Sequence, residues 1–150
     1  MKNTEFVLVC LLSLALSACV TDKHPMTVNP QKIYDTVDAK YPTEKNTLVF
    51  VDAPEGFVAP GLANCAVENG VDNADVVAII SALALKTTTV VVAGDDESLT
   101  GTTLAQALKL GTGKINGSKA IIVGAKETQK TLADLAAING VALEFMDAPT

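Results

Sequence analysis

The chain has 150 residues and a net charge of −6, which suits a single domain and has the wrong sign for nucleic-acid binding. Its 11 basic residues are all lysines, so the rigid guanidinium fork that binds phosphate in a bidentate manner is absent. Composition therefore disfavours nucleic-acid and phosphate-binding functions.

The start of the chain has the three parts of an export signal. Lys2 lies in a short polar segment, residues 6–16 are apolar, and the small residues Ser17 and Ala18 precede Cys19. The apolar run is shorter than the ~20 residues that a membrane-spanning helix needs. It therefore indicates an export signal and not a permanent membrane span.

The four residues Leu16-Ser17-Ala18-Cys19 resemble the lipobox of bacterial prolipoproteins. The resemblance implies a signal peptide over 1–18, diacylglycerol on the Cys19 sulfur, and a fatty acid such as palmitate on the new amine. Several acyl chains anchor a protein stably to a membrane. Val20 in place of Asp implies the outer membrane, facing the periplasm, in a Gram-negative host. The alternatives are an ordinary apolar helix, or a secretory signal cut at Ala18 beside an incidental cysteine.

The cysteines agree with an extracytoplasmic location. Cys10 lies in the signal and Cys19 is the expected lipidation site, which leaves Cys65 without a partner for an internal disulfide. The fold is then expected to hold by its core alone. Cys65 is interpreted as a small buried apolar residue, with a mixed disulfide to another envelope protein as the alternative.

Residues 19–46 are predicted to form a lipid-anchored tether with one short helix. The polar, Pro-interrupted stretch 20–29 is typical of a tether. Asn29 followed by Pro30 is a helix start, and the apolar spacing then predicts a helix over about 30–40. This helix either packs on the domain or supplies a contact surface.

From residue 47 to 150, short apolar strands alternate with longer helical patterns, which predicts one α/β domain. Strands are expected at 47–51, 88–93, 120–123 and 142–146, and helices at about 72–84, 98–110 and 126–138. Asp72 with Asp75 resembles a capping box at the start of the first of these helices, and Gly111 and Gly140 are expected to end the other two. The first three strands are apolar throughout, as strands covered on both faces must be, whereas Glu144 indicates that the fourth is at an edge. The least regular segment, 57–70, is expected to hold an extra helical turn.

This alternation predicts a four-stranded parallel sheet with helices on both faces. A flavodoxin-like strand order of 2-1-3-4 is the first choice, and in such sheets ligands bind at the carboxyl ends of the strands where the order reverses. The candidate ligand-binding residues at that edge are Asp52, Asp95, Asp96, Lys126 and Asp147. They can bind Ca²⁺, Mg²⁺ or a cationic partner, or they can simply turn the chain and cap helices.

Catalytic chemistry has little support. The one histidine, His24, lies in the predicted tether, so no Ser or Cys of the domain has an obvious imidazole base. The glycines at 111–117 miss the spacing of phosphate and dinucleotide loops. The sequence therefore predicts no catalytic residue, no cofactor and no metal site. It favours a non-enzymatic accessory or assembly subunit that binds a protein partner, with a small-ligand, divalent-cation or hydrolytic domain as the alternative.

Overall fold

Helices and strands alternate along the chain from residue 30 onward, and the strands run parallel to one another. The computed structural model describes residues 28–53, 67 and 73–150, so the predicted export signal, Cys19 and Cys65 lie outside the described residues. The elements are α1 (Pro30–Lys40), β1 (Asn46–Val51), α2 (Ala74–Leu85), β2 (Thr89–Gly94), α3 (Glu97–Leu110), β3 (Lys119–Val123), a 3₁₀ helix (Lys126–Thr128), α4 (Gln129–Asn139) and β4 (Ala142–Met146).

Side-chain caps start the helices where the sequence predicts. The Asn29 side chain accepts a hydrogen bond from the Gln31 N–H at 2.9 Å and Pro30 begins α1. One difference concerns α2, for which an Asp72–Asp75 capping pair was expected. The cap is Asn73, whose side-chain oxygen accepts from the N–H groups of Asp75 and Val76.

The sheet is parallel throughout, as predicted, but its strand order is β1-β2-β3-β4. The predicted order 2-1-3-4 is wrong. Helices α2, α3 and α4 lie side by side on one face, so each crossover adds the next strand at the same edge of the sheet. In the described sheet, β1 is consequently an edge strand and is mostly half-buried.

Two apolar cores explain why the central strands are apolar at every position. Val90, Val92 and Ile122 pack towards α2–α4 in the larger core. Their neighbours along the strands, among them Val91 and Ile121, face α1 in the smaller core. Strands covered on both faces need no alternation of polar and apolar residues. The prediction of helices on both faces is confirmed, with three helices on one side and α1 on the other.

Helix α1 therefore packs on the domain, which was one of its two expected roles. Ile33 and Val37 are fully buried against the sheet, whereas Tyr34 is 37% exposed. Val67, within the irregular segment, is helical and belongs to the larger core, and the rest of 57–70 lies outside the described residues. No helix in the described parts of the chain is long and apolar enough to cross a membrane.

Candidate functional site

The candidate residues lie where the strands end. Asp52 follows β1, Asp95 and Asp96 follow β2, Lys126 begins the 3₁₀ helix after β3, and Asp147 follows β4. Because the strands are parallel, these positions share the carboxyl edge of the sheet. The order 1-2-3-4 contains no reversal, so the crevice that opens at a reversal in other α/β sheets is not formed here.

Asp96 has a structural role. It is only 8% exposed, and its carboxylate accepts a hydrogen bond from the Leu99 N–H at 2.7 Å. The Thr100 hydroxyl donates back to the Asp96 carbonyl at 2.7 Å. The neighbouring Asp95 donates its backbone N–H to the Val51 carbonyl at 3.3 Å. These contacts cap α3 and join two strand ends, in agreement with the helix-capping interpretation.

Lys126 and Asp147 form an ion pair across the ends of β3 and β4. The Lys126 Nζ lies 3.2 Å from Asp147 Oδ1, and the two side chains are 67% and 83% exposed. Water screens such a pair, which contributes little to stability. The Gly124 N–H donates to the Met146 carbonyl at 2.8 Å and holds the two strand ends together. Both charged groups thus remain accessible to a partner.

A pair of carboxylates sits between β1 and α2. Partial burial and, secondarily, the negative charge of Asp52 raise the pKa of Asp75. Asp75 appeared in the sequence only as part of a helix cap, and its proximity to Asp52 was not predicted. Residues 53–74 separate the two aspartates along the chain, so sequence spacing could not reveal their proximity. These two like charges lie at one corner of the carboxyl edge.

The carboxyl edge is shallow between β2 and β3. A depression there, too shallow to enclose a water molecule, is lined by Glu97, Ser98, Ala125, Glu127 and Thr128. Ligand pockets usually measure about 300–1,000 Å³. A methyl carbon on Gly124 would lie only 3.0 Å from Glu97 Cγ, so the Glu97 side chain itself covers this loop.

The residues present also bear on metal binding. Within 28–53 and 73–150 no group of three or more His, Cys, Asp or Glu side chains is placed to hold a metal ion. Comparisons with protein-family models, with curated proteins and with solved structures gave no match.

A second polar cluster lies at the opposite, amino edge of the sheet, on the α1 face. We call Tyr41, Glu44, Thr89, Lys119 and Glu144 the amino-edge network. Lys119 Nζ lies 2.7 Å from Glu44 Oε1 and 3.3 Å from Glu144 Oε1. The Thr89 hydroxyl donates to Glu44 at 2.6 Å, and the Tyr41 hydroxyl donates to Glu144. The network ties the turn after α1 to β2, β3 and β4.

The sequence pointed to only one member of this network. Glu144 broke an apolar strand and was interpreted as the mark of an edge, which is where β4 lies. Lys119 precedes an apolar run and Glu44 lies in a turn, so neither stood out. The Lys119 ammonium also lies 5.0 Å from the centre of the Tyr41 ring, a cation–π contact that sequence spacing does not indicate.

Acid is expected to weaken the fold through this network. The hydrogen bond from Lys119, and then that from Thr89, lowers the pKa of Glu44, and the hydrogen bond from Tyr41, then that from Lys119, lowers the pKa of Glu144. A lowered pKa contributes stability above the unfolded-state value and loses it as the pH falls through the folded one. We therefore expect the melting temperature of the natural chain to drop below about pH 5.

The matched variants are Glu44→Gln and Glu97→Gln, which remove one negative charge each, the second from outside the network. Glu44→Gln is expected to melt lower at neutral pH and to lose less on acidification, because the contribution lost in acid is already gone. Glu97→Gln is expected to follow the acid profile of the natural chain. Thermal melts across the acid range measure this. Identical acid profiles for the natural chain and Glu44→Gln would contradict it.

Proposed function

We propose that this chain is a lipid-anchored envelope protein whose domain is a non-enzymatic accessory or assembly subunit. Its anchor is the acylated Cys19, and its place in a Gram-negative host is the periplasmic side of the outer membrane. The domain binds a protein partner of the envelope through the carboxyl edge of its sheet. The observation that carries the binding surface is that the described part of this edge exposes the acidic residues Asp52 and Asp147 and is shallow between β2 and β3.

The shape of the carboxyl edge favours a protein over a small molecule as the binding partner. The depression between β2 and β3 is too shallow to enclose a water molecule, far from the roughly 300–1,000 Å³ of ordinary ligand pockets, and the Glu97 side chain covers the loop beside it. Protein interfaces are broad, and each partner usually contributes about 800 Å². A row of strand ends and loops provides such an area without a deep cavity.

Charge supports a partner with a basic surface. Asp52 and Asp147 are exposed at the two ends of the carboxyl edge. Glu97 is half-buried between them, and the basic residue Lys126 at this edge is already paired with Asp147. Complementary charge mainly raises the rate of association and selects the partner. Association with the partner is therefore expected to weaken as salt is added.

Photo-crosslinking in intact membranes tests this proposal. A photoreactive residue at position 126 is expected to give a specific protein adduct, because the Lys126 side chain is 67% exposed at the carboxyl edge. The same residue at position 81, on the exposed side of α2, is the positional control and is expected to give none. Mass spectrometry of the adduct identifies the partner.

Charge-reversal variants then test whether the acidic residues of the carboxyl edge are needed for this adduct. Asp52→Lys with Asp147→Lys is expected to reduce the adduct at least tenfold. Asp35→Lys with Asp134→Lys makes the same change in net charge on α1 and α4 and is expected to preserve it. Asp134 is a close control because it is also an exposed acid paired with a lysine, Lys130 at 2.8 Å. Equal loss in both double variants, or no adduct at position 126, would count against the proposal.

The alternative is a domain that binds a small ligand or a divalent cation, with or without hydrolysis. One observation favours it: Asp52 and Asp75 lie close enough for the charge of one to raise the pKa of the other, and a cation would relieve that repulsion. A ligand bound only by the folded state must raise its stability. Thermal melts with Ca²⁺, Mg²⁺ and nucleotides therefore test the alternative. It is rejected if none of them raises the melting temperature.

A further inference from the structure

Large apolar side chains are exposed at one end of the helical layer. Leu85 is the last residue of α2, Leu110 is the last of α3, and Ile138 is the penultimate residue of α4. They are 68%, 59% and 78% exposed. Adjacent packed helices lie about 8–10 Å apart, so the three side chains form a row roughly 20 Å long. The row lies at the amino edge of the sheet, because the helices run antiparallel to the strands.

Three exposed lysines lie beside two members of this row. Lys86 follows Leu85, Lys109 precedes Leu110 in the last turn of α3, and Lys114 lies in the connection between α3 and β3. The segments 84–89, 108–118 and 136–141 contain no Asp or Glu. We call this surface the basic–apolar end, and its residues are Leu85, Lys86, Lys109, Leu110, Lys114 and Ile138. On the α1 side of the same edge, Glu44 and Glu144 are bound by Lys119.

Five acidic groups of the domain lie at the other end, whereas Asp134, one turn before Ile138 in α4, is paired with Lys130 at 2.8 Å. Asp52, Asp75, Asp95, Glu97 and Asp147 all lie at or beside the carboxyl edge. The intervening helix α3 has 14 residues and so is about 21 Å long. Electrostatic screening in physiological salt acts over about 8 Å. The basic–apolar end therefore presents a positive surface even though the chain carries a net charge of −6.

We propose that the basic–apolar end docks on an anionic phospholipid bilayer. This inference rests on the proposed membrane anchor and goes beyond it, because it assigns a second, non-covalent membrane contact. Lysines attract anionic headgroups while the leucine and isoleucine tips insert at the headgroup boundary. A row of exposed side-chain tips fits a flat bilayer better than it fits a partner that binds in a groove. Docking in this direction turns the acidic carboxyl edge away from the membrane and towards a partner.

The length of chain before α1 permits this orientation. Helix α1 begins at the carboxyl end of the domain, where the Lys32 ammonium donates to the carbonyl of Thr150. Residues 20–29 separate Cys19 from α1. Ten residues can span at most about 36 Å, which exceeds the length of about 21 Å for α3. An acylated Cys19 and the basic–apolar end can thus reach the same membrane.

Vesicle binding without the acyl anchor tests the inference. The protein is residues 19–150 carrying Cys19→Ser, which retains both cores because their described members begin at residue 28. It is expected to co-sediment with vesicles of phosphatidylglycerol mixed with phosphatidylcholine, and not with phosphatidylcholine alone. Added salt is expected to weaken this binding.

Two variants test separately the lysines and the apolar side chains of the basic–apolar end. The triple variant Lys86→Glu, Lys109→Glu and Lys114→Glu is expected to bind at least about a hundredfold more weakly, since each lysine contributes about fivefold near an anionic surface. Leu110→Ser with Ile138→Ser is expected to lower binding about tenfold through lost apolar insertion. The control is Lys32→Glu, Lys126→Glu and Lys130→Glu, which has the same net charge but leaves the basic–apolar end unchanged.

Equal loss in the triple variant and its control, or binding to neutral vesicles alone, would overturn the inference. So would the absence of vesicle binding by a chain whose circular dichroism and melting show that it is folded. A salt-sensitive dimer without vesicles, abolished by the triple variant, would assign the surface to a second copy instead. Because Cys19 is replaced throughout, these failures leave the lipid anchor and the partner at the carboxyl edge untouched.

Discussion

Gly94→Ala is expected to lower the free energy of unfolding by about 3 kcal/mol. Gly94 is the last residue of β2 and pairs with Val51 of the neighbouring strand. A methyl carbon at this position would lie 2.4 Å from the Val51 carbonyl oxygen and 2.4 Å from the Thr100 hydroxyl. The hydroxyl can rotate away, but the carbonyl belongs to the backbone of β1. The alanine therefore forces β1 or the first turn of α3 to shift.

Gly113→Ala is the control because it adds the same methyl group in open space. Gly113 has a φ of +82° and no atom within 4 Å of the added carbon, so the cost of about 1 kcal/mol comes from the backbone conformation alone. Urea unfolding monitored by circular dichroism gives both values. Equal losses in the two variants would show that close packing at the junction of β1, β2 and α3 does not limit stability.

The elements of the fold could be read from the sequence because their signals are local. A capping Asn29 before Pro30 predicted the start of α1, and Gly111 and Gly140 predicted where α3 and α4 stop. Parallel pairing followed from the alternation of strands and helices. These features depend on residues a few positions apart, and the physical forces that produce them act over the same distance.

The strand order could not be read in the same way. Orders 2-1-3-4 and 1-2-3-4 use the same strands, the same helices and right-handed crossovers. They differ in the side of β1 on which β2 pairs, and therefore in whether β3 pairs with β1 or with β2. The consequence is large, since β1 becomes an edge strand and the crevice of a flavodoxin-like sheet is lost. The sequence of β1 does not reveal that the strand is half-exposed. Its residues are apolar because α1 covers one face of the strand and the larger core covers the other.

The candidate site was predicted in part. The carboxyl ends of the strands are adjacent in any parallel sheet, so Asp52, Asp95 and Asp147 had to share an edge whatever the order. The separate roles of the candidate residues could not be predicted, because only the structure shows that Asp96 is a buried helix cap and that Asp147 is exposed. The approach of Asp52 to Asp75 also depends on how the chain returns to the sheet over some 20 intervening residues.

Cys19→Ser is expected to abolish fatty-acid labelling of the protein and to release it from the membrane anchor. The reason is chemical, since the serine side chain lacks the sulfur on which the diacylglycerol is built. Each buried methylene contributes about 0.8 kcal/mol to membrane binding, so losing several acyl chains removes far more than any surface contact supplies. Metabolic labelling with palmitate and the intact mass of the membrane fraction measure the effect.

Cys10→Ser is the matched control, because it removes a sulfur from a cysteine only nine residues before Cys19. Val9 before Cys10 is too bulky for the small-residue position of the lipobox, so this variant is expected to be labelled and anchored like the natural chain. A natural protein that begins at residue 19 without a fatty acid would contradict the lipobox and support a secretory signal cut at Ala18. In that case Cys19 would carry a free thiol, and membrane contact would depend on the basic–apolar end alone.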